Sequence, residues 1–301
     1  MFSSTGFARG TPRHVREAMP AVDRLDLATA PARPLEYLWG MHMRPDLEDE
    51  YVPALQRTVS GIANHRQRNK WHSRALTLTE KTAIEQYTFN SNDYVNDYLR
   101  HGQNEPFPKG VIPAGADISA TSSARHARQL AEILKDVAPA NGPVVLYRGG
   151  YEHRGTSGER FRQGAIRSGD VLVNSDFLSF TENPFTVAKF IRSWFSPTDE
   201  TSIIFQLSTH HSIKPIAPLT AYGGNFEDES LCPPMRAFRV LAIDEIEPIV
   251  NGEANPIVVV SIEEMNDVSD EAGGRSGNRT FDFRTGEPFD RDTAKQRLAA
   301  D

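Results

Sequence analysis

The sequence predicts an α+β fold in which helices precede a β-sheet. Between residues 78 and 137, apolar side chains recur every three or four positions, as on the buried face of a helix. From residue 144 onward they fall into short runs rich in valine, isoleucine and phenylalanine, which are typical of strands. Because the two patterns are separated along the chain, α+β is the natural class.

Three helices are predicted in the first half of the chain. The first has Thr79 as its N-cap and carries Ile84 and Tyr87, and the second follows a turn at residues 90–92. The third extends over residues 120–137. Strands are predicted over residues 144–147, 171–173, 176–180, 202–207, 237–243 and 257–262, with a further helix over 184–195.

Composition limits the classes of partner and compartment. The chain has 301 residues, enough for one large domain or two small ones, and its 40 acidic against 33 basic residues give a formal charge of -7. This excess of acid argues against nucleic acid as a partner through bulk electrostatics. The only cysteine, Cys232, excludes an intrachain disulfide and a cysteine-rich metal site, which fits a reducing compartment.

The two ends of the chain are predicted to differ from its middle. Residues 1–34 form a polar, basic leader, expected to be disordered, that lacks the apolar core of a secretory signal. Residues 35–75 are expected to add one or two short helices. Residues 263–301 form a polar, acidic tail that is expected to be mostly disordered, with a weak strand near Phe281. No apolar run approaches the ~18 residues of a membrane span.

Three places on the predicted strands carry polar side chains suited to chemistry. Arg148 follows one strand, and Ser179 lies within another. If residues 227–231 are extended, Glu227 and Glu229 share a face, and such a close pair of acids usually persists because a substrate, a cation or a structural partner uses it. Taken singly, each feature is also explained by a structural ion pair, ordinary sheet surface or a solvated acidic loop.

In combination these segments resemble the arginine-specific Arg-Ser-Glu class of mono-ADP-ribosyltransferases. The resemblance covers roughly residues 76–262 and rests on four segments in the family's order: Leu78–Arg100, Leu146–Gly149, Asp176–Thr181 and Glu227–Val240. It implies a helical lobe packed on a split, mainly antiparallel β-core that binds NAD without a Gly-x-Gly-x-x-Gly loop. Phe180 departs from the family's small threonine, and on a strand its side chain faces away from Ser179.

The resemblance also implies roles for the residues that bind NAD. Arg148 would hold the NAD phosphates through its planar fork of donors, and the backbone of Gly149 would meet the nicotinamide amide. Ser179 would position Glu229, which would accept a hydrogen bond from the 2′-hydroxyl of the nicotinamide ribose and stabilise the oxocarbenium-like centre. Arg192 and Phe195, on the predicted helix over residues 184–195, would contact a phosphate and the nicotinamide, although core packing explains the aromatic residue equally well.

The acceptor implied by the resemblance is an arginine side chain of a target protein. Glu227 would orient that guanidinium and take its proton, since in this family a glutamate here goes with arginine and a glutamine with other acceptors. The turn over residues 221–226 would recognise the target, with Tyr222 and Phe226 as contacts. NAD is the expected co-substrate, no metal is expected, and the protein is expected to be a monomer.

Composition adds a narrower likeness to type III effectors of plant-pathogenic bacteria, which implies secretion by a non-classical route into host cytoplasm. Three other functions stay open from the sequence. The same site would allow NAD hydrolysis without an acceptor, and the fold would also serve as a binding module that has lost NAD. The two glutamates would also suit a glycosidase, although its carboxylates normally come from separate strands.

Overall fold

The structure, a computed structural model, describes residues 76–88, 92–102, 119–137, 145–150, 158–182, 186–187, 201–216, 229–246, 249–250, 253–254, 257–266 and 279–299. The helices are α1 (Leu78–Gln86), α2 (Asn92–His101), α3 (Ala120–Asp136), α4 (Gly158–Arg162) and α5 (Arg291–Ala299). The strands are β1 (Leu146–Gly150), β2 (Val171–Val173), β3 (Leu178–Thr181), β4 (Ser202–Thr209), β5 (Lys214–Pro215), β6 (Glu229–Cys232), β7 (Ala237–Ile246), β8 (Ile249–Val250), β9 (Glu253–Ala254), β10 (Ile257–Glu264) and β11 (Thr280–Asp282).

Helix α1 begins at a capping box that the sequence prediction missed. Its N-cap is Thr77, and the prediction of Thr79 is wrong. The Thr77 hydroxyl accepts from the backbone N–H of Glu80 at 3.3 Å, and the Glu80 carboxylate accepts from the backbone N–H of Thr77 at 2.7 Å. A threonine followed three residues later by a glutamate satisfies two otherwise unpaired N–H groups, so this pair fixes where the helix starts.

Helices α1, α2 and α3 form a lobe whose apolar faces pack together and against the sheet. The predicted amphipathic faces of α2 and α3 are confirmed, because Val95, Leu99, Leu130 and Leu134 are all buried. The same cluster includes sheet-side residues, among them Leu231 of β6. No helix in the part of the chain that the structure describes is long and apolar enough to cross a membrane.

Nine of the strands form one mixed sheet, in the order β11–β2–β7–β10–β4–β1–β3–β6–β5, and β8 pairs with β9. Among the described strands of this sheet, β4 pairs with β10 and β2 with β11 in parallel, and the other pairs are antiparallel. The predicted α+β class with a mainly antiparallel core is therefore confirmed. Strand β1 begins two residues later than predicted and continues through Gly150, so Arg148 lies within the strand and not after it.

The sheet is nearly divided between β1 and β3, which share a single paired position, Tyr147 with Thr181. Strands β2 and β3 follow each other in the chain yet lie far apart in the strand order, so the sheet curls and its two parts enclose one apolar core. Phe180 of β3 contacts Phe238 of β7 across this core, at 6.2 Å between ring centroids. The predicted split of the β-core therefore corresponds to the place where β1 and β3 are joined by this one pair.

The expectation of disorder after Glu263 is wrong for residues 279–299, whereas the weak strand predicted near Phe281 is confirmed as β11. Strand β11 pairs with β2, and Phe283 is 1% exposed within the core. Helix α5 packs at the end of α2, where the Arg297 guanidinium donates to the backbone carbonyls of Leu99 and Arg100. A few well-placed apolar side chains anchor this segment although its average composition is polar, and average composition was the basis of the expectation.

Replacing Phe283 with alanine is expected to lower the free energy of unfolding by about 3–5 kcal/mol, as for other buried phenylalanines. The ring packs 4.4 Å from that of Phe205 and 5.4 Å from that of Phe238, between centroids, so truncation would leave a cavity. Urea unfolding measures the change, with Leu78→Ala as the matched control, because Leu78 is 81% exposed. A loss no larger than that of the control would contradict the placement of residues 279–299 in the core.

Candidate active site

Three neighbouring strands, β1, β3 and β6, bring Arg148, Ser179 and Glu229 to one region of the sheet. Tyr147 pairs with Thr181, and Thr181 pairs in turn with Glu229, so these residues form one row across the strands. Arg148 follows this row by one residue, and Ser179 precedes it by two. Residues widely separated in sequence thus meet where the sheet is nearly divided.

Arg148 reaches from β1 to β3 beyond the point where the two strands pair. Its Nη1 donates to the backbone carbonyl of Ser179 at 2.8 Å, and the side chain is half-buried. Burial, and next the charge of Arg284, lower the pKa of the Arg148 guanidinium to about 9, so it remains a cation at neutral pH. A guanidinium carries five N–H groups, and one bond to a carbonyl leaves the others for an anion.

Ser179 and Phe180 occupy opposite faces of β3. Phe180 is 2% exposed and belongs to the core enclosed by the curled sheet, whereas Ser179 is half-buried. The prediction that Phe180 faces away from Ser179 is confirmed, and the large ring is accommodated in the core. Gly149 lies within β1, opposite Ile204 of β4, and is also half-buried.

Glu229 is the first residue of β6, and only 9% of it is exposed. Tyr87, at the end of α1, packs in the same buried cluster as Leu231 of β6, two residues after Glu229. Burial first, and then the negative charge of Glu229, raise the pKa of the Tyr87 hydroxyl. The Tyr87 hydroxyl accepts a hydrogen bond from Nδ2 of Asn96 at 3.1 Å. The helical lobe therefore forms one wall of the site that contains Glu229.

Asn174 holds the chain on both sides of the site, a role that sequence analysis missed. Its buried amide donates to the carbonyls of Asp176 at 2.6 Å and Pro233 at 2.9 Å. Its Oδ1 accepts from the backbone N–H of Arg236 at 2.7 Å. The turn before β3 and the turn after β6 are thus tied to one side chain. An asparagine in a turn is too common a signal for its sequence position to indicate this.

Asp176 is a second residue whose role sequence analysis missed, although it begins one of the segments that resemble the family. Its carboxylate is buried and forms ion pairs with Arg100 of α2 and Arg284, which follows β11. Asn96 Oδ1 accepts from the backbone N–H of Phe177 at 3.2 Å. The helical lobe and the C-terminal segment therefore both anchor the residues that lead into β3.

Several predicted site residues lie outside the described part of the chain: Glu227, Arg192, Phe195, Tyr222 and Phe226. Of the predicted extended segment 227–231, residues 229–231 lie in β6. The shared face of Glu227 and Glu229 stays a prediction.

Neither Cys232 nor the acidic and histidine side chains of the described residues add a nucleophile or a metal site. Cys232 is buried, and burial raises the pKa of its thiol well above the ordinary value, so it packs as a small apolar residue and is no nucleophile at neutral pH. Within the described ranges, no group of three or more His, Cys, Asp or Glu side chains could hold a metal ion.

Comparison with known proteins identifies the fold. No protein-family model matches the chain. Vis of Vibrio splendidus strain 12B01, which carries the name NAD(+)–arginine ADP-ribosyltransferase, is 29% identical over 177 residues, or 58% of this chain and 64% of Vis. The match thus spans less than two thirds of that relative.

Two crystal structures of Vis align with the described fold. Vis in complex with the M6 inhibitor aligns with a TM-score of 0.57 at 18% identity, covering 79% of this chain and 94% of Vis. Vis in complex with agmatine gives a TM-score of 0.55 at 18% identity, covering 77% and 94%. The chain therefore has the fold of the ADP-ribosyltransferases, as its motifs predict, and resembles an NAD(+)–arginine enzyme of that class in sequence.

Proposed function

We propose that this protein is a mono-ADP-ribosyltransferase that transfers ADP-ribose from NAD to an arginine side chain of a target protein. The observation that carries the proposal is the meeting of Arg148, Ser179 and Glu229 on the neighbouring strands β1, β3 and β6. The fold, shared with Vis, and the sequence similarity to an enzyme named for NAD and arginine support it.

Arg148 would bind the NAD phosphates, because it is cationic and has N–H groups left after its bond to the Ser179 carbonyl. Ser179 would keep Glu229 in place beside the nicotinamide ribose. Glu229 would accept from the 2′-hydroxyl, and its charge would stabilise C1′ as the bond to nicotinamide breaks and the electron pair leaves with nicotinamide. The position of Glu229 in a largely buried place would strengthen this electrostatic effect.

Glu227 would then prepare the acceptor. An arginine is protonated and poorly nucleophilic at neutral pH, so a carboxylate must orient the guanidinium and take its proton as the nitrogen bonds to C1′. The solved complex of Vis with agmatine, an arginine analogue, supports arginine as the acceptor for this chain too. Tyr222 and Phe226 would contact the target, and Arg192 and Phe195 would contact NAD.

The proposed setting is a bacterial effector or toxin secreted by a non-classical route. A neighbour in the structural comparison is described as the Vis toxin, and its TM-score with this chain is 0.56. The basic, polar character of residues 1–34 also fits a leader that is recognised during secretion. Accumulation of a leader-truncated variant inside the producing cell, with the full chain exported, would support this setting.

Nicotinamide release from NAD by the purified protein tests the proposed activity, measured with and without agmatine. Release that increases with agmatine, together with ADP-ribosyl-agmatine as a product, is the expected result. Release at the same rate in both cases would favour NAD hydrolysis. No release, combined with no thermal shift on adding NAD, would overturn the proposal in favour of a binding module.

A further inference from the structure

Asp176 is the centre of a buried charged cluster beside β3. Its Oδ2 lies 2.8 Å from Nε of Arg284 and 3.3 Å from Nε of Arg100, and its side chain is 0% exposed. Arg100 also pairs with Asp97 at 2.8 Å. Burying a carboxylate is costly unless cations and hydrogen bonds compensate, so the two arginines offset the cost of placing Asp176 here.

Arg284 and Arg148 lie along one edge of the same extended segment. Nη2 of Arg284 donates to the carbonyl of Phe177 at 3.3 Å, and Nη1 of Arg148 donates to the carbonyl of Ser179 at 2.8 Å. Carbonyls two residues apart on an extended chain point in the same direction and lie about 7 Å apart. The two guanidiniums are therefore neighbours, and Asp176 directly precedes Phe177, the anchoring point of Arg284.

The carboxylates of this cluster are distributed unevenly among the three arginines. Arg100 forms ion pairs with Asp97 and Asp176, and Arg284 forms one with Asp176. No carboxylate within the described residues forms an ion pair with Arg148. A neighbouring cation of like charge also disfavours a move of Arg148 toward Asp176. Arg148 thus stays available to an external anion although a buried carboxylate is close by.

Arg284 itself is held firmly by the segment that follows β11. Asp282 accepts from the backbone N–H groups of Arg284 and Thr285, both at 2.9 Å, which fixes a tight turn. The N–H of Phe283 donates to the carbonyl of Val173 at 2.9 Å and fastens the turn to β2. The guanidinium is therefore presented to Asp176 from a rigid support.

We propose that Arg284 is a positioning residue of the NAD site: by engaging Asp176, it prevents that carboxylate from pairing with Arg148 and leaves the Arg148 guanidinium free for the phosphates of NAD. This inference rests on the proposed function, because NAD is the ligand concerned. It assigns to the C-terminal segment, which contains none of the family motifs, an influence on NAD affinity that acts through Asp176 and Arg148.

A double-mutant cycle tests the inference, with NAD affinity measured by calorimetry and stability by urea unfolding on the full chain. Arg284→Gln is expected to weaken NAD binding by about tenfold, since the released Asp176 competes for Arg148. Asp176→Asn is expected to bind NAD within about threefold of wild type. Combining the two changes is expected to restore affinity to about that level, because the competing carboxylate is gone even though Arg284 is absent.

If Arg284 has a purely structural role, adding Asp176→Asn to Arg284→Gln will not restore NAD affinity. The double variant would then bind NAD as weakly as Arg284→Gln or more weakly, and that result would overturn the inference. If Arg284→Gln does not fold, Arg284→Lys retains the charge beside Asp176 and is expected to bind NAD within about threefold of wild type; a tenfold loss in a folded Arg284→Lys would also overturn it.

Arg160→Gln is the matched control. Arg160 forms an ion pair with Glu287 in the same C-terminal segment, whereas the ion pairs of Asp176 are with Arg100 and Arg284, so loss of Arg160 should leave NAD affinity unchanged. A wild-type chain that binds no NAD would instead contradict the proposed function. If the wild type binds NAD but the effects of the two changes on affinity simply add in the double variant, only the role of Arg284 is contradicted. The two failures are therefore distinguishable.

Discussion

Replacing Glu229 with glutamine is expected to lower the rates of nicotinamide release and of transfer to agmatine, each by about a thousandfold. This is the loss of rate typical of enzymes from which a preorganised electrostatic contact has been removed. Glutamine has nearly the same shape, so the pairing of β6 with β3 should persist while the negative charge that we propose to act on C1′ is lost. Both reactions break the same glycosidic bond, and both therefore depend on this charge. Rates of nicotinamide release measured with and without agmatine give the two values.

Glu132→Gln is the matched control for this change. Glu132 is an exposed residue of α3 that pairs with Lys135, and its side chain is 69% exposed, so both rates should stay within about twofold of wild type. A Glu229→Gln variant that folds and retains more than a tenth of either rate would contradict the assignment of Glu229 to the reacting centre.

Glu227→Gln is expected to separate the two reactions. Transfer to agmatine should fall by about a hundredfold or more, because no carboxylate remains to orient the guanidinium and take its proton. NAD hydrolysis should stay within about threefold of wild type, since water needs less activation at an oxocarbenium-like centre and Glu229 is unchanged. Product analysis after incubation with NAD and agmatine distinguishes ADP-ribosyl-agmatine from free ADP-ribose.

Asp228→Asn is the natural control for Glu227→Gln, because adjacent residues on an extended chain point to opposite faces. Both reactions should proceed in this variant at rates close to wild type. Full arginine transfer by Glu227→Gln would show that Glu227 has a different role. Loss of both reactions would instead indicate that Glu227 supports Glu229.

Local periodicity was sufficient to predict most helices and strands of this fold. The buried positions of α2 and α3 follow from residues three and four apart, and strands such as β4 and β10 follow from dense β-branched runs. Besides the C-terminal segment, errors arose at element boundaries, where short signals compete. Thr77 with Glu80 outweighs Thr79 because the capping box satisfies two N–H groups, and β1 extends through Arg148 because β4 continues to pair with it.

The candidate site could be predicted only through the resemblance to a family. Nothing in the spacing of Arg148, Ser179 and Glu229 along the chain indicates that β1, β3 and β6 are neighbours, since strand order depends on long-range pairing. The structure supplies that adjacency and adds Asn174 and Asp176, which have no distinctive sequence signal. Their importance comes from partners on other elements, including Pro233, Arg236 and Arg284.

The sequence by itself determined the class of the fold, the helical lobe and the residue types of the candidate site, because these depend on short-range pattern and side-chain chemistry. Only the tertiary structure decided that the strand near Phe281 pairs with β2, that Phe283 lies in the core, and that Arg284 forms an ion pair with Asp176. A polar segment is folded when a few of its side chains meet complementary apolar or charged partners elsewhere in the chain. Such contacts join residues that are far apart in the sequence, so no local sequence pattern predicts them.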